Sequence, residues 1–226
     1  MNNTIHVIIE NDNVIKNKLK LMMESFGFNF KFYNDEDLFT SNYTYPQEEG
    51  AKECVLIFLN SENNHIGRLN NINGSLGIIP FIILSEKPSV ELCRESFKSG
   101  AFDFFSFPFK DSDIAHAVSH AMELFANEHS ELKKYNKLAD KFDRLSNREK
   151  EIMDMILEGN TSKETAEKLA LSPRTVEVHR SNIYTKLGIK SLPQLIQEYE
   201  YINTYSRNLW HHWLSMHIVD NINLAI

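Results

Sequence analysis

Two continuous apolar runs, Cys54–Leu59 (CVLIFL) and Pro80–Ser85 (PFIILS), constrain this chain more than any other feature. A strand wetted on one face alternates apolar with polar residues, whereas a strand covered on both faces is apolar throughout. Their neighbours fit the same plan. Ile5–Glu10 reads as another buried strand, Val14–Phe26 as a helix stopped at Gly27, Phe28–Tyr33 as an alternating strand and Asp35–Thr40 as a short helix. Pro88–Ser99 reads as a helix ending at Gly100, and Asp103–Phe107 as a fifth strand before Pro108. Strands interleaved with helices predict an α/β, doubly wound parallel sheet. The segments Ser41–Glu53 and Asn60–Gly77, rich in Asn, Ser and Glu, read as loops, and the second leaves little room for a third helix.

A helix starts at Asp111 and has no stop signal. Ile114, Val118, Ala121, Phe125, Glu128, Leu132, Tyr135, Ala139 and Phe142 follow spacings of four and three, with Glu128 the one charged position. Such a seam suits a coiled coil between two copies of the chain. It also suits a linker helix folded onto a domain of its own chain.

The region from 146 to 203 is helical throughout and its ends are marked by caps. Ser146 with Glu149, Thr161 with Glu164, and Ser191 with Gln194 have capping-box spacing. Ser172 before Pro173 supplies an N-cap and a first-turn proline, and Gly188 a left-handed stop. Four short helices follow, at about 147–158, 162–170, 173–187 and 192–203. The second and third form a helix-turn-helix. Val176, Ile183 and Leu187 would lock the third helix onto Ala166 and Leu169. Arg174, Glu177, Val178, Arg180 and Ser181 would present donors, acceptors and methyls to the edges of bases. Lys163, Thr175, Asn182 and Lys186 are placed to hold phosphates. The bland alternative is a solvated charged face on a core helix.

Net charge is −7, which at first sight argues against nucleic acid. The charge is uneven, however: residues 1–140 carry 13 Lys and Arg against 20 Asp and Glu, whereas residues 141–203 carry 10 against 10. Arg174, Arg180, Lys186 and Lys190 cluster with only Glu177 opposing them, and a local basic face governs DNA binding more than the total does. No apolar stretch is long enough for a membrane span, and the start of the chain lacks the features of a signal peptide. Cys54 and Cys93 have no metal-like spacing and read as reduced thiols of a cytoplasmic protein. No cofactor, metal site or enzymatic constellation is expected.

The stretch from L-S-N-R-E at 145–149, through E-G at 158–159 and SPRTVEVHR at 172–180, to KLGI at 186–189 resembles the LuxR-type DNA-binding domain nearly end to end. Thr165 stands where that family usually has Ile. The first half is similar to a response-regulator receiver, a (βα)5 domain, in its element order, Gly27, the apolar strands and K-S-G-A-F-D-F-F at 98–105. The whole chain therefore resembles the NarL/FixJ class. The resemblance implies a receiver-like domain at 1–125, a linker helix at 126–143, a helix-turn-helix domain at 144–203 and an aromatic, His-rich tail at 204–226.

In receivers, phosphate is accepted by an Asp at the end of the third strand, near an acidic pair, a hydroxyl and a lysine. Carried over, the acidic pair falls on Glu10 and Asn11, with Asp12 just after; the acceptor falls on Phe58, the hydroxyl on Ser85 and the lysine on Phe107. A benzyl group has no lone pair with which to attack phosphorus or bind Mg²⁺. The resemblance and this departure from it imply a transcription regulator that binds double-stranded DNA as a homodimer without aspartyl phosphorylation. RNA polymerase or another protein is a further partner to expect. Phe58 and Phe107 are expected to meet as an apolar plug, unless they mark simple decay of an unused site. Two other readings stand beside this one: an adaptor that binds protein through the receiver-like domain, and a phosphorylated regulator with an unrecognised acceptor. In the tail, Leu209, Trp210, Trp213, Leu214 and His217 have helical spacing suited to a lid or dimer contact. His211, His212 and His217 lack the carboxylate or thiol that would complete a metal site.

Overall fold

The computed structural model describes residues 3–10, 12–24, 26–59 and 76–222, the side chains of 23, 24 and 208–222 excepted. It divides into two compact units, one reaching to Ser130 and the other spanning Glu131–His211.

In the first unit, β1 (Asn3–Ile8), β2 (Asn29–Tyr33), β3 (Lys52–Leu59), β4 (Phe81–Ser85) and β5 (Asp103–Ser106) form one sheet in the order β2-β1-β3-β4-β5. Every neighbouring pair is parallel. This doubly wound order has its switch point between β1 and β3, where such sheets hold their ligands beyond the strands' carboxyl ends. Described helices here are α1 (Asn13–Glu24), α2 (Glu36–Asn42), α3 (Val90–Lys98) and the start of α4 (Asp111–Asp143). Alternation along the strands divides the core between two faces. Ile5, Val7, Leu56, Phe58, Ile82 and Leu84 meet Ile15 and Leu19 of α1 and Ile114, Val118 and Ala121 of α4. Ile8, Val55, Ile57 and Ile83 meet Phe39 of α2, Leu92 of α3 and Phe125 of α4. Both central runs are buried along their whole length, as their composition requires.

The expected loop 41–53 is shorter than its composition suggests. Lys52 and Glu53 join β3, in register with Asn3 and Thr4 of β1. Glu53 is a polar residue in a buried strand, and partners hold it there. Tyr43 donates to its carboxylate at 2.9 Å, and His6 Nε2 lies 3.4 Å away. Burial opposes its charge, but these hydrogen bonds and Lys31 keep the carboxyl below its ordinary range. Cys54 and Cys93 are free thiols, and burial pushes the Cys54 thiol up. Most of the second expected loop, residues 60–75, lies outside the described residues.

The second unit holds the remainder of α4 with α5 (Asn147–Leu157), α6 (Ser162–Lys168), α7 (Pro173–Leu187) and the start of α8 (Leu192–Ile222). Capping boxes form at Ser146–Glu149 and Thr161–Glu164, each satisfying N–H groups the helix itself leaves without acceptors. Ser172 accepts from Thr175 N–H, and Gly188 closes α7 at φ 72°, a conformation costly for a residue with a Cβ. The box expected at Ser191 does not form. Gln194 Oε1 instead accepts the N–H of Lys190 at 3.0 Å, and Ser191 offers its carbonyl to Leu195. Nor does α8 stop near 203; it continues to Ile222. The tail side chains Leu209, Trp210, His211, His212, Trp213, Leu214 and His217 lie outside those described.

The heptad seam is one helix, as its spacing predicts, but its second half does not need a second copy. Ile114, Val118, Ala121 and Phe125 are fully buried in the first unit. Beyond the exposed Glu128, Tyr135 and Phe142 find partners on α8 of the same chain. Tyr135 lies 5.0 Å from Tyr205 between ring centroids, and Phe142 lies 6.4 Å from Tyr199. Tyr201 donates to Glu131 at 2.8 Å, and Lys134 sits 4.1 Å over the Tyr201 ring. These contacts explain why the second unit begins at Glu131, ahead of the 144 boundary read from the sequence.

Candidate nucleic-acid interface

The core of the second unit fixes which side of α7 is free. Val176, Ile183 and Leu187 are fully buried with Ala166 of α6 and Ile152, Met153 and Ile156 of α5. An α-helix turns about 100° per residue, so Arg174, Val178, Ser181 and Thr185 project opposite that stripe. All four are exposed, Val178 at 52%. Among the described residues Arg174 makes no hydrogen bond or ion pair, and neither does Lys163 at the start of α6. Asn182 is exposed on one flank of the same surface. Thr185 was not singled out in the sequence, although helical periodicity alone places it on this face.

Three of the expected contacts have partners within the chain. Arg180 lies about 40° from the buried stripe rather than opposite it. Its side chain is only 24% exposed, and its Nε reaches Glu177 Oε2 at 3.9 Å. Thr175 is half-buried, and its hydroxyl shares a 2.8 Å hydrogen bond with Ser172 in the cap. Lys186, read as a phosphate contact, donates to Glu149 Oε2 at 2.6 Å and to the Arg144 carbonyl at 3.3 Å. The Glu149 side chain is 5% exposed, and a buried carboxylate without a counter-charge is costly. Burial acts to raise its pKa, but hydrogen bonds from Lys186 and Ser146 hold the carboxyl below its usual range. Lys186 is therefore first a structural cation. The sequence showed the capping box of Glu149 but not this partner, because the two lie 37 positions apart.

Two further residues complete the arrangement. Ser162, the first residue of α6, donates its hydroxyl to Glu177 Oε1 across the helix-turn-helix. Arg148 closes the C-terminal end of α6 by donating to the Leu169 carbonyl at 2.8 Å.

At the carboxyl edge of the first unit's sheet, Glu10 is half-buried and Asn11 lies outside the described residues. Asp12 does not replace the missing acid, since its Oδ1 accepts the N–H groups of Val14 and Ile15 and so caps α1. Phe58 is 2% exposed and aligned with Leu84. Ser85 is 1% exposed, and its hydroxyl has no hydrogen-bond partner among the described residues. Phe107 is half-buried, and its backbone N–H donates to the Ser85 carbonyl. The expected contact between the rings of Phe58 and Phe107 is not formed. Phe107 turns its ring to Phe109, 5.4 Å between centroids, and Phe109 packs on the cluster that holds Phe58. Lys18 of α1, missed in the sequence, places its ammonium 4.3 Å from the centre of the Phe107 ring.

Comparisons with known proteins agree with this division. Residues 143–199 match the family described as "Bacterial regulatory proteins, luxR family". The chain is 29% identical to the transcriptional regulatory protein FixJ of Rhizobium meliloti (strain 1021) over 195 residues, 86% of this chain and 93% of that protein. It is 34% identical to the transcriptional regulatory protein TdiR of Thauera aromatica over 144 residues, 63% of each. Its fold matches the solved structure of the response regulator StyR with a TM-score of 0.75 at 22% identity, covering 88% of this chain and 99% of that one. The chain is thus similar in organisation to NarL/FixJ-type response regulators, with a receiver-like α/β domain followed by a LuxR-type helix-turn-helix domain.

Proposed function

We propose that this DNA-binding transcription regulator works without aspartyl phosphorylation, reading double-stranded DNA with α7 as a homodimer. The observation that carries the first part is Phe58. It occupies the end of β3 beside the switch point, buried at 2%, and offers no oxygen to phosphorus. Among the described residues nearby, Asp12 caps α1 and Phe107 carries no charge. On the DNA side, Arg174, Val178 and Ser181 form an exposed surface backed by a rigid core, with Lys163 and Asn182 beside it. Specific helix-turn-helix proteins pair two such surfaces on two half-sites, which is the ground for a homodimer. The dimer contact is not the second half of the α4 seam, whose Tyr135 and Phe142 are already packed within the chain.

The test is incubation with Mg²⁺ and acetyl phosphate, or with beryllium fluoride, followed by mass spectrometry and a DNA titration. No covalently modified carboxylate and no change in affinity are expected. Stoichiometric phosphorylation of any carboxylate in the first unit would revive the reading of a switched regulator with another acceptor.

A further inference from the structure

We infer that Ser162 is a positioning residue for base readout, fixing the Glu177 carboxylate as the acceptor that specifies one base pair. The inference rests on the DNA-reading role of α7 and names a determinant within it. Glu177 is the one acidic residue of α7, and a carboxylate on a DNA-facing helix repels phosphates unless it has a defined task. Its side chain is 60% exposed, so burial does not hold it. Two polar groups hold it instead. The Ser162 hydroxyl donates to Oε1 from α6, and the Arg180 guanidinium lies 3.9 Å from Oε2, one turn along α7.

This arrangement has a direction. Ser162 directly follows the N-cap Thr161, whose own hydroxyl and amide are occupied by the capping box with Glu164. Ser162 is therefore not needed to start the helix, and its hydroxyl is free to reach across the turn. Arg180 lies on the flank toward the core rather than on the exposed stripe, which makes it a counter-charge for Glu177. A carboxylate fixed between them keeps lone pairs for an incoming donor. In the major groove those donors are the exocyclic amino groups of cytosine and adenine, cytosine being the usual partner of Glu. Ser162 and Arg180 thus do for Glu177 what a supporting shell does for any binding group, removing rotamers that would blur the contact.

The experiment is selection from a randomised duplex library with the full-length chain, comparing parent, Ser162→Ala, Ser162→Thr and Glu177→Gln. In Ser162→Ala the preference at one base position should fall about tenfold. Affinity for an unrelated duplex, the salt dependence and the melting temperature should not change. Ser162→Thr, which keeps the hydroxyl, should restore the parent profile, and Glu177→Gln should lose the preference at the same position. An unchanged profile in Ser162→Ala, or one lowered equally at all positions, would overturn the inference. If Ser162→Ala does not fold, Glu177→Gln decides alone: an unaltered profile there overturns it too. A parent chain that enriches no sequence would defeat the DNA-reading role itself, a result distinct from a failure of Ser162.

Discussion

The two units of this chain treat polar side chains in opposite ways. At the carboxyl edge of the first unit's sheet, where receivers gather acids, a hydroxyl and a lysine, the chain has Phe58, Phe107 and a Ser85 hydroxyl without a partner among the described residues. In the second unit nearly every functional polar group has an assigned place. Glu149 serves Ser146 and Lys186, Glu164 serves Thr161, and Glu177 sits between Ser162 and Arg180. Around Phe58 the sheet is filled by apolar mass, which does not depend on the acceptor chemistry. The helical unit is small, and its caps and buried ion pair hold the fold as well as shape the binding face. The capping and ion-paired residues there hold one or the other in place.

The largest test of this contrast is the Glu149–Lys186 pair. Lys186→Ala should destabilise the second unit by about 2–3 kcal/mol, below the full range for breaking a buried pair because the lysine is partly exposed. Binding to every DNA sequence should weaken in step with unfolding, as read by calorimetry beside a titration. If stability held and only the salt dependence flattened, Lys186 would be a phosphate contact after all. The pair also sets an acid limit. A carboxyl held below its unfolded value contributes stability above the ordinary glutamate range and loses it as pH falls through the folded value. Acid unfolding of the second unit should therefore shift to higher pH in Glu149→Gln, with lower stability at neutral pH. The first unit should follow its own course.

The sequence disclosed these features unequally. Periodicity showed the five strands, the α4 helix and the buried stripe of α7, because each depends on neighbours within a few residues. Caps did the same for α5, α6 and α7. What it concealed was long-range. The Lys186–Glu149 pair and the Ser162–Glu177 bond each join elements that only packing brings together. The seam of α4 looked complete in itself, and nothing local to it revealed that Tyr205 and Tyr199 would cover Tyr135 and Phe142. For Arg180 residue type and angle point different ways: the helical wheel sets it near Ile183 rather than Val178.

A smaller effect sharpens the comparison on the DNA face. Arg174→Ala should cost about 1–3 kcal/mol of binding, concentrated at one base position, if the free guanidinium meets a base edge. Lys163→Ala should weaken binding to all sequences and lower the slope of log affinity against log salt by about 1. Neither side chain holds the fold together, so melting temperatures should match the parent. Two variants indistinguishable from the parent in a titration at several salt concentrations would show that the binding face lies elsewhere.

The smallest effect concerns a place where the second unit departs from its own rule. Thr165 of α6 is fully buried, and its hydroxyl has no hydrogen-bond partner among the described residues, although the amide and carbonyl of the same residue are bonded within the helix. A buried hydroxyl that has left water without a new partner is destabilising, whereas its methyl group packs as any apolar group does. Valine has nearly the same shape and a similar helix propensity, so Thr165→Val removes the unpaired oxygen and little else. Stability of the second unit should rise by about 1 kcal/mol, a gain of roughly 4–8 °C for a domain of this size. Thr165→Ser, which keeps the oxygen and loses the methyl, should move stability the other way. A fall in melting temperature for Thr165→Val would mean that the hydroxyl has a partner, such as a trapped water, and that Thr165 follows the rule of its unit.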